Sequence, residues 1–278
     1  MAEINGKIIA QGILDRTRDE VLSMHQRPVL GVVVVGNDPV TAKYVAKKGQ
    51  AAEYTGIAMY IHRFPETILM KKLLEEVARL QLSCDALIIQ LPLPKHIETQ
   101  EILDAVLPEK DADCLSSTAA GRVVSQSAKI LSPVAGAVKE ILDDIGGSIK
   151  GKHVVVVGQG KLVGKPVAAM FLNEPVTLTV CGLETKNLAD ETKRADILIS
   201  GTGEAGLITG GMVKKGAIVI DAGTSVDKEG KILGDLDFKS VSKKAKWLTP
   251  VPGGVGPLTV AILLENVLKL FNLKNRVR

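Results

Sequence analysis

The strongest constraint in this 278-residue chain is a repeated hand-over from β-branched runs to helical periodicity. "VLGVVVVG" (29–36) and "VVVVGQG" (154–160) are continuous apolar runs, without the polar alternation of a half-exposed strand. Strands buried on both faces read this way, and they belong to parallel sheets covered by helices. "NDPVTAKYVAKKGQAAEYTG" follows the first run as a capped helix: Asp38 suits the N-cap, Pro39 the first turn and Gly56 the stop. A second strand lies at 56–64. From Glu66 to Leu82 the apolar positions Leu69, Leu73, Leu74, Val77 and Leu80 recur at helical spacing. A third strand, 85–94, ends in prolines. Strand, helix, strand, helix, strand predicts a parallel sheet with helices on both faces.

A second series starts at Val154, with strands expected at 154–157, 177–181, 196–200, 217–221 and roughly 246–251. The last helix is expected to begin at Pro257 with "PLTVAILLENVLKLF". The fold class is therefore α/β: two parallel-sheet α/β domains, the second Rossmann-like, with the change-over near 115–150.

Composition narrows the function classes. Hydrophobic residues at 46 % and charged residues at 24 % exclude disorder. The net charge of +4 is spread along the chain, which fits a solvated surface or a site for an anionic ligand better than a nucleic-acid interface. Aromatic residues at 3 % argue against stacking platforms for single-stranded nucleic acid. Cys84, Cys114 and Cys181 are odd in number and scattered, as expected of reduced thiols in the cytoplasm. The opening "MAEINGKIIAQGILDRTRDEVL" is amphipathic and lacks an uninterrupted signal core. No uninterrupted apolar run reaches the roughly 18 residues of a membrane span, so no membrane partner is expected. His25, His62, His96 and His153 show neither metal-ligand nor triad spacing, so no metal is expected, and Asp235 in "GDLDF" reads as the cap of a turn.

In "GQGKLVG", Gly158 and Gly160 suit a tight turn against a pyrophosphate, and Gly164 suits close packing of the next helix on its strand. The helix N-terminus adds free N–H groups and partial positive charge. The spacing, G-x-G-x-x-x-G, is one residue longer than the common fingerprint. Such a loop implies a dinucleotide and names no reaction.

The first series carries groups suited to chemistry. Tyr44 and Lys48 are four apart on one helix and share a face, although most such faces are simply solvated. Gln90 closes the third strand, and ligands of parallel sheets bind at such carboxyl ends. Asp113 lies in the polar loop "PEKDADCL". Two prolines and three glycines make "PVPGGVGP" a stiff loop open to close approach by a flat ligand, and equally a hinge.

"YVAKK", "IIQLPLP", "PEKDAD", "GKLVGKP", "GAIVIDAG" and "TPVPGGVGPLTVAILLEN" occur in this order over nearly the whole chain. Together they resemble the signatures of the methylenetetrahydrofolate dehydrogenase/cyclohydrolase family. The resemblance implies a folate-binding catalytic domain (1–140 plus 257–278), a dinucleotide-binding domain (141–256) and a site in the cleft between them. It implies oxidation of 5,10-methylenetetrahydrofolate to the methenyl cation with NADP, or NAD, then hydrolysis to 10-formyltetrahydrofolate, within one-carbon metabolism. Lys48 is implied as the proton-moving group, which requires its pKa to fall from about 10.4 by burial and a cationic substrate. Gln90 would hold Lys48, and Tyr44 would orient it or pack on the substrate. Asp113 would accept two hydrogen bonds from the pterin. Pro252, Gly253, Gly254 and Thr259 would border the folate and nicotinamide. Gly158, Gln159, Gly160, Val163 and Gly164, with Thr202, Gly203 and Thr224, would hold the cofactor. A homodimer, joined through the cofactor domain, is also implied.

The chain departs from the family pattern where Gln159-Gly160 stands for arginine–serine and Gly182-Leu183 for histidine–serine, the side chains expected to read a 2′-phosphate. Lys161 and Lys186 offer substitute charges, while Glu184 suits a ribose hydroxyl and NAD. Cys114 replaces a glycine and Ala119 an asparagine near the folate. Two alternatives stay open: a monofunctional NAD-dependent dehydrogenase, and a non-catalytic folate- or dinucleotide-binding relative.

Overall fold

A computed structural model describes residues 1–227 and 229–276. The chain opens with β1 (Ala2–Glu3) and α1 (Gly6–Leu22), then β2 (Val29–Val35), α2 (Pro39–Thr55), β3 (Ala58–Phe64), α3 (Met70–Leu80) and β4 (Ala86–Ile89). Three helices follow: α4 (Thr99–Asp104), α5 (Ser117–Val124) and α6 (Pro133–Ile145). The second series is β5 (His153–Val157), α7 (Gly164–Phe171), β6 (Thr177–Cys181), α8 (Leu188–Thr192), β7 (Ile197–Ser200) and β8 (Ile218–Asp221). A small antiparallel pair, β9 (Ser225–Val226) and β10 (Ile232–Leu233), precedes α9 (Phe238–Val241), β11 (Trp247–Leu248) and α10 (Val255–Arg276).

Two compact units result: Met1–Ala10 with Val134–Thr259, and Gln11–Pro133 with Val260–Arg278. The first ten residues thus leave the unit in which the sequence grouped them. The physical cause is a short parallel pairing, Ala2 opposite Trp247 and Glu3 opposite Leu248, which adds β1 to the edge of the second series' sheet.

In the unit built on Gln11–Pro133 the sheet order is β3-β2-β4, all parallel, with β2 in the centre. Its run of valines is explained by two separate cores. Leu30, Val32 and Val34 pack with Val45 and Ala52 of α2 and Leu263, Leu264 and Val267 of α10. Val33 and Val35 face the other way, onto Leu73, Val77 and Leu80 of α3. Alternate residues therefore meet helices on opposite faces, and no position is left for a polar side chain. Asp38 caps α2 by accepting from the Thr41 N–H at 2.7 Å, and Gly56 ends the helix at φ 78°. Helix α3 is shorter than its periodicity, and β4 stops at Ile89 because the prolines beyond it carry no N–H for the ladder.

The other unit's six-stranded sheet runs β1-β11-β8-β7-β5-β6, all parallel. Val155, Val157, Leu198, Val219 and Leu248 form the core of one face. Helix α10 starts at Val255, so Pro257 is its third residue and not its first. By length and composition Val255–Asn275 is apolar enough to cross a membrane, but most of it is buried inside the protein. Cys84, Cys114 and Cys181 are buried free thiols.

Candidate functional site

From β5 the chain passes to β6 on one side and then crosses to β7 on the other. This reversal is a topological switch point, where open parallel sheets bind ligands beyond their strand ends. The loops after β5 and β7 meet there. Gly158 has φ +106°, and a Cβ on it would lie 2.5 Å from the Gly201 carbonyl oxygen. A Cβ on Gly164, the first residue of α7, would lie 1.9 Å from the Gly158 oxygen. Loop and helix start are therefore pressed together backbone to backbone, and the Val163 side chain covers Gly201. Gly160 has open space around it, and Gly203 lies beside the Thr224 carbonyl. These residues fit a pyrophosphate: bare backbone at a helix N-terminus, with room for the ligand at the loop's outer turn.

At the ends of β5 and β6, Gln159 lies across Gly182, where a Cβ would sit 2.5 Å from Gln159 Oε1. The Gly182 N–H donates to Thr185 Oγ1 at 2.8 Å, and Leu183 is fully exposed. A neutral amide thus occupies this corner of the loop.

The smaller sheet repeats the reversal, with β3 and β4 on opposite sides of β2. Gln90 stands just beyond β4, its N–H donating to the Val33 carbonyl at 2.9 Å. Its Oε1 accepts a 2.9 Å hydrogen bond from Lys48 Nζ, while its Nε2 donates to the Leu91 carbonyl at 3.0 Å. Both ends of the amide are engaged, which fixes its flip and aims the lysine. Tyr44, one turn before Lys48, is exposed, and its ring centre lies 5.9 Å from Lys47 Nζ. Gln90 is the hydrogen-bond partner of Lys48 among the described residues.

Asp111 bridges to Leu87, which lays the "KDAD" segment alongside β4. Burial pushes the Asp113 carboxyl above its ordinary range, and the Lys48 charge opposes that shift. The two groups thus share one electrostatic environment. Asn266 and the backbone of Cys114 add two features beside Asp113 that the sequence pattern does not show. Asn266 of α10, itself buried, donates from Nδ2 to the Ala112 carbonyl at 2.9 Å and the Leu131 carbonyl at 2.8 Å, pinning the residue before Asp113. Cys114 adopts φ +52°, a left-handed conformation, and burial beside Asp111 and Asp113 pushes its thiol up into an inert range.

Pro252, Gly253, Gly254 and Thr259 belong to the other unit, the first three between β11 and α10 and Thr259 in the second turn of α10. The Gly254 N–H donates to the Pro250 carbonyl at 2.8 Å, and Thr259 Oγ1 donates to the Gly256 carbonyl at 2.8 Å.

Residues 132–275 match the family described as tetrahydrofolate dehydrogenase/cyclohydrolase, NAD(P)-binding domain, and residues 4–113 match its catalytic domain. The chain belongs to the tetrahydrofolate dehydrogenase/cyclohydrolase family. "Bifunctional protein FolD" of Nautilia profundicola is 43 % identical over 274 residues, covering 97 % of this chain and 96 % of the relative. Among solved structures, the Trypanosoma brucei N5,N10-methylenetetrahydrofolate dehydrogenase-cyclohydrolase, complexed with NADP cofactor and inhibitor, is 36 % identical with a TM-score of 0.94. It is covered to 98 %, and this chain to 99 %. The bifunctional FolD structure from Campylobacter jejuni is 35 % identical with a TM-score of 0.93, covering 99 % of each chain. Within this tetrahydrofolate dehydrogenase/cyclohydrolase, the catalytic-domain match spans β2 to β4 with Lys48 and Gln90, and the NAD(P)-binding match spans the Gly158–Gly201 crossing.

Proposed function

We propose that the protein oxidises 5,10-methylenetetrahydrofolate to 5,10-methenyltetrahydrofolate with NADP, NAD being the alternative acceptor, and then hydrolyses the product to 10-formyltetrahydrofolate. The observation that carries this reading is the Lys48 Nζ–Gln90 Oε1 hydrogen bond beside the Asp113 carboxyl. The bound nicotinamide supplies a hydride acceptor. Gly158, Gln159, Gly160, Val163 and Gly164 hold its pyrophosphate end, and Thr202, Gly203 and Thr224 line the neighbouring strand ends.

Asp113 accepts from the pterin's amino group and ring nitrogen, a two-point match that fixes the ring and returns favourable interactions to a half-buried carboxylate. Loss of hydride leaves a methenyl carbon that is cationic and electrophilic. Water adds to it, and Lys48, acting in this step as the neutral amine, takes a proton as the C–O bond forms. As the ring C–N bond breaks, Lys48 returns that proton to the departing nitrogen, and the hydroxyl proton goes to solvent as the formyl group forms. Gln90 keeps Nζ aimed through both steps. Tyr44, Pro252, Gly253, Gly254 and Thr259 serve as substrate contacts.

The test is to mix purified protein with methylenetetrahydrofolate and NADP or NAD, following reduced cofactor and methenyl intermediate together. Reduction with prompt loss of the intermediate is the expected result. Reduction with methenyl decay no faster than in buffer would leave only a dehydrogenase, and no reduction with either cofactor would refute the reading.

The enzyme is further read as a cytoplasmic homodimer joined through the cofactor unit. Strand β6 supports this: it ends its sheet, pairs with β5 alone among described strands, and exposes Val180. Sedimentation at a monomer mass across micromolar concentrations would refute it.

A further inference from the structure

Two carboxylates lie wholly inside the dinucleotide unit with no lysine or arginine bridging to them among the described residues. Asp235 is 0 % exposed and Asp221 3 % exposed. Asp235 Oδ2 accepts from Ser200 Oγ at 2.7 Å and from the Thr202 N–H at 2.6 Å, and its Oδ1 accepts from the Gly203 N–H at 3.0 Å. All three donors come from the end of β7 and the loop beyond it. Asp221 closes β8 and holds Asp235 in turn, accepting from the Asp235 N–H at 3.1 Å, the Leu236 N–H at 3.2 Å and the Gly223 N–H at 3.0 Å. The Asp221 N–H donates to Thr249 Oγ1 at 2.7 Å, at the head of the tract that carries Pro252, Gly253 and Gly254.

At two neighbouring positions even a methyl group would strike these carboxylates. A Cβ on Gly223 would sit 1.9 Å from Asp235 Oδ1, and one on Gly234 2.1 Å from Asp221 Oδ2. A chain of side-chain-to-backbone bonds therefore links the ends of β7, β8 and β11, where this sheet's ligand loops lie. Thr202 and Gly203 are exposed. Without Asp235 their N–H groups would turn to water, and the loop would sample many conformations.

We infer that Asp235, held by Asp221, is a positioning residue that fixes the Thr202–Gly203 loop in its dinucleotide-binding shape before the cofactor arrives. A buried carboxylate suits the task because ionised acceptors make shorter, stronger bonds to backbone N–H groups than neutral ones do. Asparagine is close in size but offers one acceptor oxygen, so at least one loop N–H would face an amide N–H instead. The inference rests on the proposed role of Thr202 and Gly203 at the cofactor.

The test compares wild type with Asp235→Asn. Calorimetric binding of NADP, the dehydrogenase KM for NADP, and cyclohydrolase turnover of methenyltetrahydrofolate without dinucleotide are measured on both. Binding and KM are expected to worsen at least tenfold, with cyclohydrolase turnover kept within twofold. Unchanged NADP binding would overturn the inference, as would a matched fall in both activities, which marks a general loss of fold. Should the variant not fold, hydrogen exchange on cofactor-free wild type decides: the Thr202 and Gly203 amides are expected to exchange slowly, and exchange at open-loop rates would overturn the inference. Wild type that binds neither NADP nor NAD would count against the proposed function, while the exchange result would still judge Asp235.

Discussion

Lys48 and Gln90, 42 positions apart in sequence, meet in a 2.9 Å hydrogen bond at the carboxyl end of β4. The lysine comes from a helix, the amide from a strand end, and only the packing of α2 against β2 brings them together. Lys48→Met is expected to reduce cyclohydrolase turnover by about 100-fold or more, the usual worth of a general acid–base group, while NADP still binds. Stopped-flow decay of methenyltetrahydrofolate checks it, and an unimpaired variant would remove Lys48 from the chemistry.

Asp113 sets a pH dependence. Burial raises its pKa above 3.8, so the free carboxyl takes up a proton at a higher pH than an exposed aspartate. In the proposed site only the ionised form would accept both pterin hydrogen bonds, so the folate KM is expected to rise on acidification, starting above the ordinary carboxylate range. The stability sign is opposite: a raised folded pKa gives stability that is full below the unfolded value and lost as pH rises through the folded one. Asp113→Asn is expected to flatten the KM profile and weaken folate binding about tenfold, the worth of one hydrogen bond to a charged group.

The glycine loop separates two kinds of glycine. Gly164→Ala would put a Cβ 1.9 Å from the Gly158 backbone oxygen, whereas Gly160→Ala meets nothing within 4 Å. The first is expected to cost about 1–3 kcal/mol of stability, as overpacking does, and to abolish NADP binding. The second is expected to leave the melting temperature unchanged. Thermal unfolding with and without NADP distinguishes them, and equal melting of both variants would contradict the close approach.

Gln159 is the residue proposed to set how firmly a 2′-phosphate is held. It lies across Gly182 with only a neutral amide to offer. Gln159→Arg supplies a planar fork and a charge, and is expected to shift the NADP-to-NAD affinity ratio about tenfold or more toward NADP. Titration with each dinucleotide measures the ratio, and an unmoved ratio would place the 2′-phosphate elsewhere.

Much of the fold was legible because strand burial has a direct signature. The unbroken valine runs of β2 and β5 require helices on both sheet faces, and Asp38, Pro39 and Gly56 marked the two ends of α2. Element edges were less legible. Helix α10 reaches back to Val255 because its first turn needs no signal beyond Pro257, and β4 ends early because prolines remove ladder donors. By sequence Asp235 reads only as the cap of a turn in "GDLDF". Its donors, Ser200, Thr202 and Gly203, lie more than thirty positions away.

The sequence by itself determined the α/β class, the dinucleotide loop and the residue types available for folate chemistry. These follow from local pattern: side-chain period, caps, and glycine where backbone must touch backbone. Tertiary structure decided which groups act on one another. It turned Gln90 onto Lys48, pinned the backbone before Asp113 through Asn266, and buried Asp235 under the Thr202–Gly203 loop. Hydrogen bonds between distant segments depend on strand order and crossover, which no local window of sequence contains.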